Sequence, residues 1–133
     1  MMSAFFPHAA TTDEVTVRVA ASFLSEQSEL DKGRWFWAYH VRIENGGDQP
    51  VQLLSRHWII TDAYGYHHEV EGEGVVGEQP MIAPGDAFDY VSGCPLSTPN
   101  GAMEGSYHMQ RANGAIFDAA IPHFPLESSA VTE

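Results

Sequence analysis

The chain is poor in cysteine, in basic residues and in long apolar runs. Its 133 residues include one cysteine, Cys94, so no disulfide can form within the chain. Only 6 lysines and arginines oppose 18 acidic residues, which gives a formal net charge of −12. Binding to nucleic acid or to an anionic membrane needs clustered positive charge, so we expect neither partner. A free thiol and the lack of an export signal predict a cytoplasmic protein.

Catalytic signatures are equally scarce. The serines lie in no nucleophile elbow, Cys94 has no adjacent base in the sequence, and no phosphate-binding or cofactor motif has its required context. We therefore expect a protein that is not an enzyme, with no catalytic residue and no cofactor. The acidity is compatible with a basic protein partner or with divalent cations, and solubility is the simpler explanation.

What the chain has in abundance is period-two alternation broken by turns. The run 35–43 is the strongest strand pattern, because every odd position is apolar. Turn signals separate such segments about every 8–12 residues, as in sandwiches and barrels. We predict an all-β fold, a single antiparallel β-sandwich of the immunoglobulin or fibronectin type III kind. The domain should span residues 13–126, between a flexible N-terminal tail (1–12) and a flexible C-terminal tail (127–133).

Three glycines, Gly72, Gly74 and Gly77, have the G-x-G-x-x-G spacing of dinucleotide-binding loops. That chemistry requires a helix directly after the glycines, whereas prolines follow here. Two interpretations remain. The amides could form an anion nest with Arg56 as counter-charge, which predicts a nucleotide or polyphosphate ligand. Alternatively, the glycines could simply allow tight turns between strands.

The densest group of metal-ligand types is His67, His68 and Glu69. Imidazole and carboxylate together suit a divalent ion such as Co²⁺ or Zn²⁺, so these residues are our candidate metal site. The alternative is a solvated acidic hairpin. The side chains of alternate residues on one strand point outward nearly parallel to each other, whereas the ligands of a metal ion must converge on one point.

Two aromatic residues, Phe36 and Trp58, are candidates for a protein-binding surface. Phe36 lies on the face of its strand opposite to Trp37, so an exposed Phe36 would indicate a partner contact or a homodimer contact. Trp58 follows Arg56, and both residue types are enriched at binding hot spots. A core position for Trp58 is an equal alternative.

Several long segments resemble those of one known family. They are VQLLSRHWIITD (51–62), GEGVVGEQP (72–80), YVSGCPL (90–96), GSY (105–107) and IP (121–122). In this order they are similar to the ApaG (CorD) family, and the match extends over about residues 13–126. The resemblance implies a fibronectin type III-like sandwich in a bacterial cytoplasmic protein.

The two names of that family suggest two different biological roles. One links it to diadenosine polyphosphate metabolism through gene neighbourhood, and the other to cobalt and magnesium homeostasis; neither defines a molecular activity. Related domains in eukaryotic F-box proteins and in a polymerase-delta-interacting protein look like protein-binding modules. The leading expectation is therefore a binding or regulatory domain with an unidentified protein partner. The alternative is a small ligand at the glycine segment.

Overall fold

The chain folds as two antiparallel sheets packed face to face. The computed structural model describes residues 5–128. Its strands, in chain order, are β1 (His8–Thr12), β2 (Val15–Phe23), β3 (Trp35–Asn45), β4 (Val51–Asp62), β5 (His67–Glu73), β6 (Met81–Ile82), β7 (Ala87–Leu96), β8 (Asn100–Arg111) and β9 (Ile116–Glu127). Two 3-10 turns, Ser25–Gln27 and Leu30–Lys32, connect β2 to β3. The predicted single-domain antiparallel β-sandwich is confirmed.

The sandwich is closed on one side and open on the other. The strand orders are β1-β2-β3-β7 and β5-β4-β8-β9, with β6 beside β4. Strand β9 packs along β1 and β2, and the Ala120 amide donates a hydrogen bond of 3.1 Å to Thr12 Oγ1. At the opposite side β7 and β5 end their sheets, and no described strand pairs with their outer edges. In the described part of the chain, no helix is long and apolar enough to cross a membrane.

The core follows the alternation of the strands. On β3 the odd positions from Trp37 to Ile43 are buried, as the pattern of residues 35–43 predicts. The opposing sheet contributes Trp58, which lies between rings of both sheets. Its ring centroid is 5.3, 6.1 and 6.3 Å from those of Tyr39, Phe124 and Tyr107, respectively. These contacts fix the two sheets against each other.

A β-bulge in β4 decides which of its later residues face the core. The pairing of β4 with β8 shifts by one residue between Leu53 and Ser55. After this shift Arg56, Trp58 and Ile60 share the inward face, since side chains alternate along a strand. A cation thus faces the space between the sheets.

The N-terminal boundary of the sandwich differs from the sequence-based expectation. Residues 8–12, which we expected in a flexible tail over residues 1–12, pair with β2 as strand β1. Phe6 is also buried, with its ring 4.8 Å from that of His40. Strand β1 is mostly alanine and threonine, so its alternation carries little hydrophobic contrast. Residues 1–4 lie outside the described residues.

At the C-terminal end, the last strand extends one residue beyond the expected boundary at residue 126. Glu127 is the last residue of β9, and Ser128 Oγ donates a hydrogen bond of 2.7 Å to the Pro99 carbonyl. The rest of the tail expected at residues 127–133 lies outside the described residues.

Candidate functional site

An open cleft separates the two sheets on the side where β5 and β7 lie. Its larger part, of about 430 Å³, is mainly apolar. The apolar lining comes from both sheets and includes Trp58, Ile60, Val70, Cys94, Leu96 and Met103. A smaller part of about 310 Å³ is polar, with Tyr39, Arg56, Tyr90, Ser92 and residues 75–77 around it. The cleft therefore combines an apolar wall with a cationic, hydroxyl-rich end.

Arg56 is the centre of the polar end. Its Nη1 donates hydrogen bonds of 3.0 and 2.8 Å to the carbonyls of Glu73 and Gly74, which hold the end of β5 against β4. Within residues 5–128 its Nε and Nη2 make no protein hydrogen bond, and no carboxylate pairs with the guanidinium. Of the six lysines and arginines, Arg56 and Arg111 form no ion pair within residues 5–128. The guanidinium carbon of Arg111 lies 4.4 Å from the centroid of the Phe117 ring.

Three tyrosine hydroxyls accompany Arg56. The hydroxyls of Tyr90 and Tyr107 form a hydrogen bond with each other, and Tyr39 lies beside Ser92 in the same part of the cleft. Burial raises the pKa of Tyr39, Tyr90 and Tyr107 above the ordinary tyrosine value, although the Arg56 charge opposes this. These phenols therefore stay neutral at pH 7, so the polar end offers donors and one positive charge.

The glycine segment is shaped by Arg56 and by a tight turn. A side chain at Gly72 would place its Cβ 2.9 Å from Arg56 Nη2, so the guanidinium would have to shift from its present position. Gly74 has φ +63°, and a Cβ there would overlap the Glu78 carbonyl. Gly74 is thus required by its backbone conformation and by close approach to the main chain, whereas Gly72 gives room to the Arg56 guanidinium.

The third glycine closes a two-residue hairpin. Val76 and Gly77 have φ of 44° and 82°, and main-chain hydrogen bonds of 2.8 and 2.9 Å join Val75 and Glu78. Positive φ at both central positions defines a type I′ turn. The amides of Gly74, Val75 and Glu78 all donate to main-chain carbonyls. This geometry favours the tight-turn interpretation over a nucleotide-binding nest.

The structure separates the residues of the predicted metal site. His67 and His68 point to opposite faces of β5, as adjacent strand residues must. His67 Nδ1 lies 2.9 Å from Thr61 Oγ1, and His68 lines the cleft. Glu69 shares the outer face with His67, but its carboxylate contacts His57 of the neighbouring strand.

A different set converges on the outer face of the second sheet. His57 Nε2 of β4 is 2.8 Å from Glu69 Oε1 and 3.7 Å from Glu71 Oε2 of β5. One ligand-type atom from each residue lies within 4.8 Å of the others. Sequence reasoning missed His57 because this group forms across strands. The β4–β5 hairpin register, which pairs His57 with Glu71, is the signal that could have found it.

The two aromatic candidates lie on different surfaces. Trp58 is 2% exposed and belongs to the core, so it is not a surface hot spot. Phe36 is half-buried on the outer face of the first sheet, where its ring covers Gly93. The two residues therefore form no common surface. Cys94 is also buried, which raises the pKa of its thiol to about 11 and makes it a poor nucleophile at neutral pH.

The fold and the cleft define a single-domain antiparallel β-sandwich with an accessible space between its sheets. A family model described as the ApaG domain matches residues 25–111. Protein ApaG of Bradyrhizobium sp. (strain ORS 278) is 55% identical over 119 residues, which are 90% of this chain and 92% of that protein. Protein ApaG of Rhodospirillum centenum is 53% identical over 117 residues, or 88% and 90% of the two chains. The chain belongs to the ApaG family.

Solved structures agree with this assignment. The chain is similar to the crystal structure of the ApaA protein of Bordetella pertussis, with a TM-score of 0.83 and 49% identity. That match covers 85% of this chain and 92% of the other. The C-terminal domain of wzt shares the fold alone, with a TM-score of 0.55 at 8% identity.

The roles of the glycines can be tested by unfolding. We expect Gly74→Ala to lower the free energy of unfolding by about 3 kcal/mol or more, because strain at positive φ adds to steric overlap. Gly77→Ala is the matched control. Its φ is also positive but nothing lies within 4 Å of an added Cβ, so about 1 kcal/mol is expected. Urea titrations measure both, and equal losses would contradict the packing role of Gly74.

Proposed function

We propose that this protein is a binding domain that recognises an extended segment of a partner protein along its open side. The observation that carries the proposal is the coincidence of two strand edges, with which no strand of residues 5–128 pairs, and an apolar cleft between them. An edge strand offers its free main-chain amides and carbonyls to an added strand, and adjacent pockets then select side chains. Strands β5 and β7 meet both conditions.

The rim of the cleft supports a protein ligand. Val70 on β5 and Val76 in the hairpin turn are exposed apolar residues that line the cleft, and Val91 is exposed on the outer face of the edge strand β7. Trp58 contributes as the floor of the cleft, under the bound segment. The apolar wall suits a side chain of the partner.

Charge selects among the possible occupants. Glu69, Glu71 and Glu73 are exposed along β5, and the whole chain has a formal charge of −12. A segment flanked by basic residues is attracted to this rim, whereas a second copy of the chain is repelled. The proposal places the interaction in the cytoplasm, where the free Cys94 thiol remains reduced.

A photo-crosslinking experiment tests where the partner binds. Benzoylphenylalanine is introduced in the protein's own cells at Val70, which lines the cleft, or at Val91 on the edge strand β7. We expect both positions to capture the same partner, because one extended segment contacts both edges. Mass spectrometry should map the adducts to one short, basic stretch of that partner.

Ile116 provides a matched control position. It is 49% exposed, compared with 41% for Val70 and 60% for Val91, and it lies on β9 at the closed side. Equal capture at Ile116 would contradict the proposed site. An adduct of twice the 14.6 kDa chain mass would instead assign the open side to a second copy.

Divalent-cation binding is a second candidate function, favoured by the cross-strand group His57, Glu69 and Glu71. The three side chains contribute one imidazole and two carboxylates within 4.8 Å. This ligand set suits Co²⁺ or Zn²⁺ better than Mg²⁺, which prefers an all-oxygen set.

Cobalt titration tests this candidate. Paramagnetic Co²⁺ should broaden the amide signals around His57, and His57→Gln should weaken binding by at least about tenfold, or ~1.4 kcal/mol. The double variant His67→Gln, His68→Gln keeps the group intact and should bind as the parent does. Broadening that persists in His57→Gln would remove this candidate.

A further inference from the structure

The polar end of the cleft contains a positive charge, Arg56, that no carboxylate of residues 5–128 neutralises. Arg56 faces inward beside Tyr107 of β8, and within the described residues its guanidinium pairs with no carboxylate. Four of the other bases, by contrast, form ion pairs on the surface. A half-buried cation loses hydration and is stabilised by an anion that enters its site.

Neutral donors surround this charge. Tyr39, Tyr90 and Ser92 line the same 310 Å³ space as Arg56. Phenol and alcohol hydroxyls can each donate a hydrogen bond to an anion, and the planar guanidinium retains the donors of Nε and Nη2. The two bonds from Nη1 to the β5 carbonyls fix the guanidinium in place, so it is positioned before a ligand arrives.

We infer that the Arg56 end of the cleft is a carboxylate-binding subsite that anchors the bound segment. This inference rests on the proposed function and specifies the group that the partner supplies, either a chain-terminal carboxylate or an aspartate or glutamate side chain. The bidentate geometry of a carboxylate matches the free donors of Arg56. The apolar wall beside it accepts the neighbouring side chain.

A single carboxylate fits this site better than a phosphate group. Glu73 borders the same space, and the chain as a whole is strongly acidic. A phosphate near neutral pH carries more charge than a carboxylate and is repelled more strongly. The adjacent hairpin also uses the amides of Gly74, Val75 and Glu78 in its own main-chain bonds, so they are not available to phosphate oxygens.

Matched small probes test the subsite without knowledge of the partner. Phenylacetate and the uncharged phenylacetamide have the same shape and differ in the carboxylate. We expect phenylacetate to shift the amide signals of Ser92 and Val76 and the Trp58 indole signal, and to saturate. Phenylacetamide should bind at least tenfold more weakly, and inorganic phosphate at equal ionic strength should also bind more weakly.

Three variants locate the binding group. Arg56→Met should weaken phenylacetate binding at least tenfold, whereas Arg111→Met removes the same charge elsewhere and should leave the affinity unchanged. Arg56→Met also removes two bonds to β5, so Tyr39→Phe serves as a variant that keeps them. Loss of its hydroxyl should weaken phenylacetate three- to tenfold without altering phenylacetamide. Equal losses in the Arg56 and Arg111 variants would overturn the inference.

Two blocked dipeptides separate the sources of the carboxylate. N-acetyl-glycyl-phenylalanine carries a terminal carboxylate, and N-acetyl-aspartyl-phenylalaninamide carries one on a side chain. Tighter binding of either than of phenylacetate supports a polypeptide source and identifies the position of the group. Peptides that bind no tighter would assign the subsite to a free small acid and contradict the link to the partner segment.

Failure of the carboxylate subsite can be distinguished from failure of the proposed partner site. If no probe binds while crosslinks still form at Val70 and Val91, the partner site stands and the carboxylate subsite is excluded. A preference for phosphate over phenylacetate would also overturn the assignment.

Discussion

The packing of Trp58 against rings of both sheets is the interaction on which the rest of the structure depends. A buried tryptophan removes about 150–250 Å² from water, which stabilises the fold by about 4–6 kcal/mol before entropy costs. Its ring lies 5.3 Å from Tyr39 of the opposing sheet and 6.1 Å from Phe124 of its own. Because side chains alternate along β4, an inward Trp58 also requires an inward Arg56. The core residue thereby brings a cation into the cleft.

The end of β5 and the turn that follows it are adapted to that cation. Gly72 leaves room for the guanidinium, and two carbonyls of the same segment accept its hydrogen bonds. The type I′ turn at Val76 and Gly77 then returns the chain within two residues. A spacing that in other folds serves a pyrophosphate serves here to hold an arginine between two sheets. The same glycine spacing therefore has a different structural role in this protein.

Much of the fold could be predicted from local patterns. The strand over 35–43, the hairpin that ends at β5 and the hairpin around Asn113 all follow from alternation and turn residues. Strand β1 could not, since its alanines and threonines differ little in hydrophobicity. Its place at the sheet edge depends on a hairpin with β2, and the two-residue turn of that hairpin, Asp13-Glu14, contains no glycine to mark it.

The site was harder to predict because its groups come together across strands. Arg56 was a candidate from sequence, but its inward orientation depends on the bulge before Ser55. The contact of His57 with Glu69 depends on the β4–β5 register. Likewise, a single sequence could not decide whether Trp58 was core or surface, since both positions accept an aromatic residue. Strand register and burial, which composition does not determine, decide where these three side chains lie.

We propose that the function of this protein resides on the open side of the sandwich. Hydrogen–deuterium exchange of the protein alone, and of the protein saturated with the partner segment that crosslinking identifies, tests it most directly. We expect slower exchange in peptides that cover β5 (67–73) and β7 (87–96), with no change in β1 (8–12). Protection confined to β1 and β9, on the closed side, would contradict it.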